Sequence, residues 1–184
     1  MSAQHHQRIL QEPPTPDDAP PLADSFTAAL DGLSLIEIEE AAGELHRRIA
    51  EALRDIGERR ADRGGRESPR ARVASLVVAT ELASTLLSSA AAVSEIVLPR
   101  LEVHPAAIAA VMYAAPTLPA LLGRLEQDRR LLASLARAIE SRLDEEANSP
   151  WGRMPLRRVV TEMSIVRPAK VAMDLDVLAG QGEV

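Results

Sequence analysis

The 184-residue sequence predicts an all-α protein, an antiparallel bundle of four to five helices behind a flexible Pro-rich N-terminal arm. Three observations carry that expectation. Apolar residues make up 46% of the chain and aromatics only 2%, and the helix formers Ala, Leu, Glu and Arg dominate over the strand formers. Long segments repeat apolar residues at intervals of three and four. Most of these segments open on Ser, Thr or His, often beside Pro, and stop at Gly or Pro.

In chain order, residues 1–23 carry Pro13, Pro14, Pro16, Pro20 and Pro21 with Asp17 and Asp18, a composition that favours extended, solvated chain. His5 and His6 there are expected to be incidental. Residues 24–184 form the bundle domain, with a short helical piece expected over Phe26 to Leu33. Ser34-Leu-Ile-Glu37 is a capping box. Behind it Leu35, Ile38, Ala42, Leu45, Ile49, Ala52 and Ile56 make one apolar stripe, and the helix is expected to fade around Arg60 to Arg63 before Gly64-Gly65. Ser68-Pro69 opens a second long helix, ended by Pro99. His104-Pro105 opens a short Ala-rich helix over about 105–114. Thr117-Leu-Pro119 opens a long helix over about 118–147, with Leu118, Leu121, Leu122, Leu125, Leu132, Leu135, Ile139 and Leu143 inward. Asn148 to Gly152 reads as a loop. Leu156, Val159, Val160 and Met163 mark a further helix, ended or kinked by Pro168. Residues 170–179 fit either a strand or a helix, and helix is preferred because a lone strand has no partner in such a chain.

The bulk numbers exclude several classes. A formal charge of −6 lacks the basic face that nucleic acid requires. With no Cys there is no disulfide framework, thiolate nucleophile or Cys-ligated metal. The longest uncharged run in the most apolar segment, Leu82 to Ser94, falls short of the roughly 20 residues a membrane span needs. No signal pattern opens the chain, and a cytoplasmic protein is expected. Twenty Arg against one Lys (Lys170), with abundant Ala, suggest a GC-rich bacterial source. Helices of this length and spacing also suit self-association, so a homodimer is expected.

The most apolar segment, Val73 to Pro99, holds two charges, Glu81 and Glu95, and no cation. Fourteen residues apart, they share one helix face about 21 Å apart, too far to act as a carboxylate pair. Thr85, Ser88 and Ala92 lie between them on that face, with Ser84 and Ser89 flanking. A helix without long charged side chains belongs in the middle of a bundle, so a carboxylate on it is partly desolvated. Two readings follow. In the first, the acids pair with an Arg such as Arg124, Arg137 or Arg158 and fix register. In the second, Glu81, Thr85, Ser88 and Glu95 line a groove for a small polar ligand, with Glu81 as general acid or base.

Other candidates are weaker. His104 is a catalytic candidate only if the fold brings it near Glu81, and otherwise caps its helix. His46 has Ile49 and Ala50 where a metal site would place ligands, so no metal is expected. Asp128 interrupts a Leu stripe and reads as a register residue or a wet gap. The arginines from Arg59 to Arg72 read as a solvated turn before a phosphate site, and no phosphate loop accompanies them. Trp151, the sole Trp, suits a clamp or a partner anchor.

These observations point to a cofactor-free bundle that binds a partner protein or small ligand. The alternative is a metal- and nucleotide-independent isomerase, cyclase or lyase acting through Glu81.

Overall fold

The computed structural model describes residues 30, 32–92, 103–149 and 152–180. The Pro-rich arm, Glu95, Pro99 and Trp151 lie outside them, as does most of the Phe26 to Leu33 piece. Residues from Leu33 onward make one compact unit.

The first helix, α1 (Leu35–Ile56), starts where the capping box places it. Ser34 Oγ accepts the Glu37 amide at 3.3 Å, and Glu37 accepts the Ser34 amide at 2.8 Å. Its buried residues are Ile38, Ala42, Ile49, Ala52, Leu53 and Ile56: the predicted stripe with Leu53 added, and with Leu35 and Leu45 only half-buried. The helix ends with its apolar stripe at Ile56, before the fade expected around Arg60 to Arg63. Gly57, at φ +74°, stops it, a backbone geometry open to Gly at little cost. A separate turn, α2 (Glu58–Ala61), follows.

Ser68 caps the central helix α3 (Pro69–Ala92), its hydroxyl accepting from the Ala71 amide at 3.2 Å. Fifteen of the 24 residues of α3 are buried, and they fall on every side of the helix but one. By length and composition alone α3 could cross a membrane, yet 67% of its apolar window is buried by the rest of the bundle. That is how a core helix looks.

His104 caps α4 (Pro105–Ala114) and Thr117 caps α5 (Leu118–Ala138), which turns from α4 by 115°. The α5 helix is shorter than its Leu stripe implies. A tight turn at Glu140–Arg142 ends it, and Leu143 is buried from beyond that turn. The predicted loop is part of a hairpin, β1 (Glu146–Ser149) and β2 (Gly152–Pro155), with Glu146 opposite Pro155 and Ser149 opposite Gly152. Ala147 and Ser149 are buried and their neighbours exposed, an alternation that four residues give without a strand-like run in the sequence.

The hairpin feeds α6 (Leu156–Thr161), a π-helical turn at Glu162–Val166 and α7 (Arg167–Gly180). Pro168 therefore does not end the helix. Pro has no amide to give and its ring crowds the preceding turn. The wider π turn directly before it, with the Arg167 amide reaching back to the Glu162 carbonyl, absorbs both. Residues 170–179 are helical: Ala172 and Leu175 are buried, while Met173 and Val177, which a strand would have turned inward, are exposed.

The fold class is all-α, as expected, with the hairpin added among the described residues, but the expected antiparallel order does not hold for every neighbouring pair. Cross-links between helices give the directions. Arg70 to Pro116, Glu81 to Arg124 and Ala90 to Arg142 run up α3 and α5 in the same sense. Glu39 to Arg137 and Glu58 to Leu118 set α1 against α5. The α3–α5 pair thus lies antiparallel to α1.

Candidate functional site

The one open side of α3 is the strip Glu81, Thr85, Ser88 and Ala92, spaced so that all four share a face. Along its edge run Ser84, which is buried, and Ser89. Opposite, Arg124, Asp128 and Leu131 share a face of α5 by the same spacing. Because the two helices run side by side in one direction, these strips form the walls of a groove. Glu81, Ser84, Thr85, Ser88, Ser89, Ala92, Asp128 and Leu131 line about 490 Å³ of it. Small side chains on α3 make the room, and the groove opens to solvent along its length.

Glu81 is held from across the groove. Its Oε1 accepts from Arg124 Nε at 2.9 Å and from Nη2 at 2.5 Å, and both side chains stay about one third exposed, 37% and 33%. The ion pair that the structural reading of Glu81 expects, with one of the candidate arginines, is therefore present with Arg124. Arg137 pairs with Glu39 instead.

Asp128 has no such partner. Burial, and then the charge of Glu81, push its carboxyl up to about 6, with Arg124 pulling the other way. Its Oδ2 is buried without a hydrogen bond, and so is the hydroxyl of Ser84, a residue only 5% exposed. Buried polar atoms are normally satisfied, so two orphans lining one groove need an explanation. The other hydroxyls are differently used: Thr85 donates to the Glu81 carbonyl and Ser89 to the Thr85 carbonyl, each at 2.9 Å.

The structure thus brings Glu81, Thr85 and Ser88 together, while Glu95 lies outside the described residues. His104 is not part of the groove. Its Nδ1 accepts the Ala106 amide at 3.1 Å, which is the capping role. Among the described residues no group of three or more His, Asp and Glu could hold a metal. His46 also has a buried, unbonded Nδ1, but it lines neither the groove nor the hollow of about 10 Å³ between α1 and α5. Burial, then the charge of Arg129, push its imidazole down to about 4, against Glu126.

The arginines around Gly64 divide by task. Arg70 is buried against Glu58, Asp62 and the Pro116 carbonyl; Arg72 reaches Glu67 and Asp174; and Arg60 donates to the Leu178 carbonyl. Asp128, read from the sequence as a register residue or a wet gap, is a groove residue. Its break in the Leu stripe was visible, but its place opposite Ser84 depends on the parallel pairing of α3 and α5.

The chain matches no protein-family model, no curated protein and no solved structure.

Proposed function

We propose that this protein is a binding module, with the α3–α5 groove as its working surface. The observation that carries the reading is the pair of orphaned polar atoms, Ser84 Oγ and Asp128 Oδ2, lining an open groove. An unsatisfied buried polar group costs about 1–3 kcal/mol, and an occupant that bonds it recovers that loss on binding. The test is native mass spectrometry of freshly purified protein beside Ser88→Trp, which fills the groove from an exposed position. The wild type carries a bound mass that the variant loses. A mass retained by the variant, or none in the wild type, overturns the reading.

The enzyme alternative through Glu81 has less support, because Arg124 occupies that carboxylate and the groove admits water. One observation keeps proton transfer in view: the Asp128 carboxyl, raised to about 6, is poised close to neutral pH. If the bound molecule is released chemically unchanged, the protein binds; conversion that stops in Asp128→Asn makes it an enzyme. A homodimer remains part of the proposal, supported by Met173 and Val177, exposed one turn apart on α7. Light scattering that returns a single 19.8 kDa chain removes it.

A further inference from the structure

The groove's hydrogen-bonding inventory is lopsided. Thr85 and Ser89 spend their protons on the backbone of α3, which leaves only lone pairs for a ligand. Glu81 commits Oε1 to Arg124 and offers Oε2. Asp128 offers both oxygens, Oδ2 from a recessed position. The Ser84 and Ser88 hydroxyls and the N–H groups of Arg124 not spent on Glu81 retain protons to give. The acceptors left over, Glu81 Oε2 and the Asp128 oxygens, are the charged ones, so they favour an occupant that brings donors. With Asp128 ionised, two carboxylates face one guanidinium, so the occupant is also favoured as a cation.

The shape narrows the choice. Ser84 Oγ and Asp128 Oδ2 are buried in the wall and unbonded, so a compact head carrying three donors suits them better than a broad planar guanidinium, once the side chains turn to meet it. Beyond them the walls turn apolar at Leu131, half exposed, and at Ala92. From Glu81 to Ala92 the groove runs about 16 Å along α3, room for an extended chain of methylenes.

Resting on the binding reading above, we infer that the groove takes an alkylammonium ligand, its –NH3+ head among Asp128, Glu81 and Ser84 and its carbon chain along Leu131 and Ala92. Acidic side chains alone would not carry this assignment. The unbonded hydroxyl of Ser84, buried and lining the same groove, is the independent sign of a missing partner.

Isothermal titration calorimetry on the full chain at pH 7.5 tests it, with 1,4-diaminobutane, spermidine, an Nα-acetyl-lysine amide, 1,6-hexanediol and magnesium chloride as probes. The amines bind and the diol and magnesium bind at least tenfold more weakly. The free amines and the lysine amide then separate a small-molecule source of the ammonium from a protein one. Asp128→Asn and Ser84→Val, each checked for an unchanged helical circular dichroism spectrum, weaken the tighter amine at least tenfold and about threefold or more. Equal binding of diol or magnesium, or full affinity in Asp128→Asn, overturns the ligand class. If no amine binds while Ser88→Trp still loses the native bound mass, the class is wrong and the groove reading stands. Amine binding that survives in Ser88→Trp places it elsewhere and overturns the assignment.

Discussion

At the start of α3, Arg70 is 5% exposed and fully engaged: Asp62 at 2.6 Å, the Pro116 carbonyl at 2.6 Å and Glu58 at 2.5 Å. Eleven residues on, Glu81 meets Arg124 in a pair that water still reaches, beside two polar atoms that bond to nothing. Both places put charge against the same core helix. The first is closed and satisfied, and it ties three elements together, since Glu58 Oε1 also accepts the Leu118 amide at the start of α5. The second is open and incomplete. Satisfaction, more than burial alone, separates a charge that holds the fold from one that awaits a ligand.

Stability measurements can break that contrast. Arg70→Ala should lose about 3 kcal/mol in urea unfolding, because it strips the Pro116 carbonyl and unfastens Glu58 and Asp62. A loss no larger than that of Glu81→Gln would erase the distinction.

His46 sharpens the comparison, since its unbonded Nδ1 has no groove beside it. The folded protein holds its imidazole at about 4 against 6.5 for the free side chain, so the unfolded chain takes the proton first as pH falls. The stability is complete above pH 6.5 and is lost between 6.5 and 4, about 2–3 kcal/mol in all. In His46→Leu this part of the acid loss disappears from the pH series of unfolding curves.

Asp128 has the opposite sign. Its folded value of about 6 lies above 3.8, so the folded protein holds the proton longer and stability falls as pH rises from 3.8 to 6. Asp128→Asn should match the wild type below pH 3.8 and exceed it by about 1 kcal/mol above pH 6, a figure reduced for solvent screening at the groove. A variant less stable than the wild type at pH 7 would mean that Asp128 is already satisfied. The smallest effect belongs to the exposed pair. Glu81→Gln should cost at most about 0.5 kcal/mol, and that cost should vanish in high salt.

Much of this was legible in one dimension. The caps at Ser34, Ser68, His104 and Thr117 and the enclosure of the Ala- and Ser-rich helix follow from local hydrogen bonding and from the lack of long charged side chains on α3. The Glu81, Thr85 and Ser88 face was equally visible, because helical spacing alone puts those residues together. Element ends were harder. Gly57 stops α1 short of the fade expected around Arg60 to Arg63, and the π turn before Pro168 carries the helix through a residue that usually breaks it.

The sequence by itself determined the helices, their capped starts and the polar strip on α3, since each depends on residues within a few positions of one another. Tertiary structure alone decided that Arg124 answers Glu81, that Asp128 stands unanswered across from Ser84, and that Arg70 is buried among the arginines around Gly64. Those outcomes join residues about 43–46 positions apart across helices, where packing chooses which charges gain partners and which are left facing a space.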